Sequence, residues 1–232
     1  MNKLIRKFSP TIELLIILIL GFGLFIYSST ISFFAVNSDY THSWGYKITN
    51  FSHSTILIYE VIAFSIILYI LKVRAWRLTD FNLSFKFRLI WVALLLLVLR
   101  NITGGILSKI FEFATVIGDT GTKHVHYGLE ANWIVILLFV VINSIYEEFI
   151  LVGYFFKRLE KYHPAILIGL STLIRLSYHT YQGWIGIFYI IPTGLIFGYY
   201  YFKYKKLWPL IIAHGLMNLL VFLRMQFQWQ DN

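Results

Sequence analysis

Apolar residues run through this chain in long blocks, with polar clusters between them. Neither the 3.6-residue stripe of a soluble helix nor the alternation of a half-buried strand dominates. Blocks of about 18 or more apolar residues read as membrane-crossing helices. The pattern predicts seven: about 11–36, 54–71, 89 onward, 132–156, 163–179, 184–202 and 207–224. The third is strongly apolar to Leu99. Arg100, Asn101 and the Gly104-Gly105 pair then break its character. Residues 106–117 carry Lys109 and Glu112 at helical spacing and read as an amphipathic or re-entrant piece. Stretches 37–53 and 118–131 read as polar loops. Pro164 and Pro209 fall in first helical turns, where a missing N–H costs nothing. The expectation is an all-α polytopic membrane protein of about seven (six to eight) transmembrane helices, a single membrane domain over 1–232 with its polar site inside the bundle.

Composition agrees. The 232 residues are 58% hydrophobic and only 13% charged, well away from soluble usage. Mean hydropathy is +0.70. The absence of cysteine excludes a thiol nucleophile, a disulfide and a thiolate metal site. A net charge of +9 could suggest nucleic acid, but no basic run stands free of the spans. The basic residues cluster at the N-terminus and after the second, fourth and sixth spans. These are alternate connections, which fall on one side of a seven-span chain and predict a cytoplasmic N-terminus. The first apolar run is too long for a signal-peptide core and lacks a clear small-x-small cleavage site, so it is expected to be retained.

Candidate chemistry lies where polar groups interrupt the spans. Glu147 and Glu148 stand side by side in the fourth span, where an ionised carboxylate is expensive and is rarely kept without a function or a partner. Arg175 and His179, near the end of the fifth span, are four residues apart and share a helix face. His214 and Asn218 in the seventh span do the same. At 1.5 Å per residue Glu147 lies about 15 Å deep, His214 about 10 Å and Asn218 about 16 Å. His179 lies about 20–24 Å deep, a poorer match. His42, His53, His124, His126 and His163 fall in loops or at a span edge and read as surface residues. A carboxylate beside histidines can activate water, and histidine and amide donors can stabilise an oxyanion. A Glu with two His could instead hold zinc. Bland readings stand beside these: an interfacial histidine for His179, a structural ion pair for Arg175, interhelical glue for Asn218. The motifs of other intramembrane proteases are missing: there is no His-Glu-x-x-His, no Gly-x-Ser-Gly and no in-span Gly-Asp of the aspartyl type.

The order Glu147-Glu148, then His179 at the end of a span, then His214-x-x-x-Asn218 resembles the CPBP family. That family comprises CAAX prenyl endopeptidases and bacterial bacteriocin-processing or self-immunity (Abi) proteins. Its pattern is Glu-Glu-x-x-x-Arg, then Phe-x-x-x-His, then His-x-x-x-Asn or Asp. The likeness covers about 130–225, and Trp208 to His214 is its most specific stretch. Two positions depart: Val152 stands in place of the Arg and Arg175 in place of the Phe. An Arg lost from one span thus reappears on the next, where it could pair with Glu148.

The resemblance implies an intramembrane endopeptidase acting on a membrane-embedded peptide or protein substrate in the lipid bilayer. Glu147 would be the general base, His179 and His214 its assistants or water ligands, and Asn218 an oxyanion donor. Glu148 and Arg175 would form the supporting pair. The family is often called metalloprotease, yet a metal-free glutamate mechanism is also argued. A divalent ion such as zinc, if one is bound, would fall to Glu147, His179 and His214. Two alternatives stand beside this reading: a non-catalytic CPBP-like scaffold or self-immunity protein, and a proton-coupled transporter. Hydrophobicity, small size and Lys, Ile and Phe bias suggest a multi-pass protein of a bacterial plasma membrane.

Overall fold

The computed structural model describes residues 7–38, 45–118 and 126–228. Helix α1 runs over 10–38 in three parts: Pro10–Leu18, a π-helical turn Ile19–Gly23, and Leu24–Ser38. Helix α2 is Asn50–Val73 and α3 is Arg88–Gly118. Helix α4 runs over 133–158 as Trp133–Glu148, a π-helical segment Phe149–Tyr154, and Phe155–Arg158. Then come α5 (Pro164–Ser177), α6 (Gly183–Tyr204) and α7 (Trp208–Gln228). Five of these helices, α1 to α4 and α7, have described stretches long and apolar enough to cross a membrane. Helix α5 is a shorter apolar helix, and α6 has 22 residues with Pro192 inside it. The protein is an essentially all-helical polytopic membrane protein.

Local chemistry sets the helix starts. Ser9 caps α1 by accepting from Ile12 N, with Pro10 in the first turn. Thr49 and Ser52 form a reciprocal capping box at α2. Asn132 caps α4 and His163 caps α5, each accepting a backbone N–H from the first turn.

Three expectations are corrected. Helix α3 passes through Gly104-Gly105 without a break, so 106–117 is neither re-entrant nor a separate piece. Gly104 is instead a point of close approach: a Cβ there would lie 2.4 Å from the Tyr189 ring on α6. The stretches read as polar loops pair as a short parallel ladder, Gly45–Ile48 (β1) with His126–Leu129 (β2), Gly45 opposite His126. Ile48 and Leu129 are buried there with Ala131, Ile136, Val140 and Phe222. His53 is not a surface residue: it is buried, edge-on to Phe139 and Phe222. His163 is the exposed cap already described, His42 and His124 lie outside the described residues, and only the backbone of His126 is described.

The helices form a closed arrangement, with α5 on α6, α6 on α3, α3 on α7, α7 on α4 and α4 on α2. Helix α1 packs against α2 and α5. Helix α4 is the central member. Of its most apolar window 56% is buried, against 22–33% for the other four qualifying spans. An apolar exterior and a polar-containing interior is the arrangement a bilayer selects.

One end of the bundle is drawn together by charge. Buried Glu13 on α1 meets Arg74 Nε, Trp76 Nε1, Tyr154 Oη and Arg158 Nη2. Close by in sequence, Asn82 accepts from Lys206 Nζ and donates to the Lys205 carbonyl. The start of α1 and the ends of α2, α4 and α6 therefore share one end of the molecule, the end bearing the basic clusters. At the other end, the hydroxyl of Ser29 meets Thr180 Oγ1 at 2.8 Å and accepts from Tyr181 N, tying α1 to the turn between α5 and α6.

Candidate active site

The two glutamates are the last residues of the regular part of α4, immediately before its π-helical segment. A π-helical turn widens the helix, and such turns often mark functional sites. Every residue of Phe149–Tyr154 is buried, Val152 included. Adjacent residues on a helix point about 100° apart. The two carboxyl groups therefore reach different neighbours.

Glu148 is completely enclosed. Its Oε1 and Oε2 accept from Arg175 Nη2 at 2.8 and 2.9 Å, and Oε1 also meets His214 Nδ1 at 2.7 Å. Arg175 on α5 is itself buried and lies over the Phe197 ring of α6. Its Nη1 reaches Glu147 Oε2 at 3.4 Å, so one guanidinium sits between both acids. The cation that the Glu-Glu-x-x-x-Arg pattern would place at 152 is delivered here from α5.

Glu147 is also buried, but not completely. Its side chain retains 8% of its surface, against none for Glu148. Its Oε2 accepts from Tyr178 Oη at 2.5 Å and its Oε1 from Asn143 Nδ2 at 3.1 Å. Tyr178 stacks on Phe22 of α1, centroids 4.8 Å apart at 12°. Phe22 lies in the π-turn of α1, where the carbonyls of Leu20 and Gly21 accept from Tyr59 Oη and Tyr146 Oη at 2.7 Å each. The bulge, its tyrosine caps and the stacked ring form a wall behind Glu147.

The histidines differ in placement. His214 on α7 touches Glu148. His179 lies past the end of α5, its Nδ1 2.9 Å from the Arg175 carbonyl. A carbonyl oxygen only accepts, so Nδ1–H donates and Nε2 carries the lone pair. At His214, too, Nδ1–H donates, here to a carboxylate oxygen. Neither Nε2 has a hydrogen-bond partner among the described residues. Asn218, one turn beyond His214, donates from Nδ2 to Asn143 Oδ1 at 2.9 Å. The structure thus gathers Glu147, Glu148, Arg175, His214 and Asn218 into one network. His179 stands at its edge, linked through the Arg175 backbone and ring contacts with Tyr178 and Tyr181.

Three members escaped the sequence reading. Asn143 lies one turn before Glu147. Tyr178 is the neighbour of His179. Glu60 of α2 is wholly buried and accepts from Asn143 Nδ2 at 2.7 Å. Glu60 was legible by the rule that singled out the pair, since it is a lone carboxylate in an apolar block. Asn143 and Tyr178 carry no charge, and nothing in their local sequence marks them.

As a metal site the set does not fit. No three His, Asp or Glu side chains among the described residues converge as metal ligands, Glu147, His179 and His214 included. The two rings are anchored on different groups, His214 on the Glu148 carboxylate and His179 on the Arg175 carbonyl. No step is therefore routed through a metal.

Residues 129–220 match the family model described as type II CAAX prenyl endopeptidase Rce1-like. The UPF0177 protein YbdI of Lactococcus lactis subsp. lactis (strain IL1403) is 28% identical over 171 residues, covering 71% of this chain and 91% of that protein. No solved structure matches significantly. The first two likenesses support the CPBP family. The matched segment begins at the end of β2 and contains every member of the network except Glu60, together with His179.

Proposed function

We propose, from the likeness of residues 129–220 to the type II CAAX prenyl endopeptidase Rce1-like family model, that the protein is an intramembrane endopeptidase cleaving a membrane-associated peptide or protein. The observation that carries this reading is the asymmetry of the acid pair. Glu148 is enclosed by Arg175 and His214, while Glu147 keeps exposed surface beside them. The two acids can then do different work.

Glu147 takes a proton from a water molecule as the water oxygen attacks the scissile carbonyl carbon. A C–O bond forms and the carbonyl π electrons move to oxygen. The water's second hydrogen is left for one Nε2, that of His214 or of His179, to accept and so orient the water. One N–H of Asn218 is held by Asn143, which leaves the other to meet the oxyanion. When the tetrahedral species collapses, the C–N bond breaks and the departing nitrogen takes the proton from Glu147. Tyr178 and Asn143 hold the Glu147 carboxyl in place throughout.

The site is about 15 Å from the end of α4, within reach of a substrate segment entering from the bilayer. A bacterial plasma-membrane setting and a cytoplasmic N-terminus complete the proposal. The deciding experiment is cleavage of membrane peptides in proteoliposomes. Wild type is expected to cleave, and Glu147→Gln and His214→Ala are each expected to lose about 10²–10⁴-fold, the range of acid–base assistance. Cleavage unchanged in both variants would refute the assignment. Glu147→Gln retaining full cellular function would favour a non-catalytic membrane scaffold instead.

A further inference from the structure

Glu60 lies on α2, outside the segment matched by the family model, yet it reaches the heart of the network. Its Oε1 accepts from Asn143 Nδ2, and its Oε2 is buried without a hydrogen-bond partner. Asn143 is thus the one side chain among the described residues that hydrogen-bonds this carboxyl.

A side-chain amide has one donating and one accepting end, and its neighbours decide which way it faces. Asn143 sits between Glu60 Oε1 at 2.7 Å, Glu147 Oε1 at 3.1 Å and Asn218 Nδ2 at 2.9 Å. Two acid oxygens on one side call for both of its N–H groups. With both N–H groups committed there, Oδ1 turns to Asn218 and receives its N–H. A flipped Asn143 would set its oxygen against two acid oxygens and its NH₂ against the NH₂ of Asn218. Glu60 makes the shorter of the two bonds to Nδ2, so it is the stronger anchor of that orientation. The same amide then faces Glu147 and Asn218, the two groups assigned to opposite ends of the proposed reaction.

We propose that Glu60 is a positioning residue: through the Asn143 amide it sets the direction of the Glu147 carboxyl and of the Asn218 N–H. The proposal rests on the endopeptidase reading for its kinetic consequence but not for its geometric one. Glu60 acts as a hydrogen-bond acceptor held at a fixed place by α2. Glutamine at the same position offers the same acceptor oxygen, and alanine offers none.

The test uses the full chain in detergent micelles and proteoliposomes, with Glu60→Ala, Glu60→Gln, Asn143→Ala and Glu60→Ala/Asn143→Ala. Glu60→Ala is expected to lower kcat about tenfold or more with KM nearly unchanged, and Glu60→Gln to restore most of it. In the Asn143→Ala background, Glu60→Ala is expected to have no further effect, because the connection is already cut. Wild-type kcat in Glu60→Ala, equal losses in the Ala and Gln variants, or additive losses in the double variant would each overturn the proposal.

A second readout needs no turnover. A lipid-soluble carbodiimide labels carboxyl groups in apolar surroundings, and mass spectrometry reports labelling at Glu147. Freed from Asn143, Glu147 is expected to label several-fold faster in Glu60→Ala and at the wild-type rate in Glu60→Gln. Labelling unchanged in Glu60→Ala sinks the positioning role. If wild type cleaves no peptide while the labelling pattern appears, the endopeptidase reading fails and the positioning role stands. If Glu60→Ala does not fold, the Glu60→Gln and Asn143→Ala variants still decide. Positioning requires labelling at the wild-type rate in the first and faster labelling in the second, and any other pattern overturns it.

Discussion

Arg175 is the residue on which the acid pair depends. It reaches both glutamates from a neighbouring helix and is buried with them. Its removal would leave two acids in an apolar interior without a permanent countercharge. Breaking a buried pair by deleting one partner typically costs about 3–5 kcal/mol. Arg175→Ala is therefore expected to lower unfolding stability in micelles by that order and to abolish cleavage. Arg175→Lys keeps the charge but loses the fork that spans both acids, so it is expected to recover stability more than activity. Wild-type stability and cleavage in Arg175→Ala would disprove the pairing. The acid pair itself, Arg175 and His214 were legible in the sequence because each breaks an apolar block at an evident energetic cost. Asn143 and Tyr178 were not. Their importance lies in where their donors point, and only neighbouring helices decide that.

At the scale of elements, two π-helical turns lie beside the site and pack on each other: a Cβ at Gly21 would lie 3.5 Å from the Ile150 side chain. Each breaks the regular ladder of its helix, and the one in α1 offers the Leu20 and Gly21 carbonyls to tyrosine hydroxyls. Tyr146→Phe removes one of these caps and leaves a buried carbonyl without its partner, a loss of about 1–3 kcal/mol. Because Phe22 sits in that turn and stacks on Tyr178, a loss of cleavage larger than the loss of stability is expected. A thermal melt beside a cleavage assay separates the two. Helix contacts give a second expectation. A Cβ at Gly194 on α6 would lie 2.5 Å from Thr172 Oγ1 on α5. Gly194→Ala should therefore force α5 and α6 apart and destabilise by about 1–3 kcal/mol. A melting temperature equal to wild type would show that the interface gives way freely. In the sequence Gly194 is a small residue in an apolar run, which permits close approach without naming a neighbour. Glycine permits contact, and the opposite helix determines what is contacted.

At the scale of the whole molecule, the basic clusters and Glu13 define one end. Glu13 binds residues from the ends of α2 and α4, which fall together only if α2 and α4 both run opposite to α1. With no native cysteine, single-cysteine labelling is free of background. Lys161→Cys, after α4, is expected to label from the same side as the N-terminus, and Glu130→Cys, before it, from the other. Labelling of both from one side would overturn the seven-helix topology.

By itself the sequence determined the class of the protein, the number and order of its long helices, and which charged groups the membrane interior must hold. Each of these follows from the cost of placing a residue type in hydrocarbon, and that cost is a property of the residue and its immediate run. It did not determine that α3 continues through Gly104-Gly105, that two polar loops pair as strands, that His53 is buried, or that Glu60 joins the site. Those outcomes depend on which helix stands opposite. A glycine pair breaks a helix or seats a tyrosine ring according to its neighbour. A lone in-span acid is a liability or a support according to the donor it meets. The tertiary structure also divided the roles within the acid pair. Two identical residues, adjacent in sequence, are separated by about 100° of helix rotation, and that rotation gives Glu148 to Arg175 and His214 while turning Glu147 toward Asn143 and Tyr178, buried but not completely enclosed.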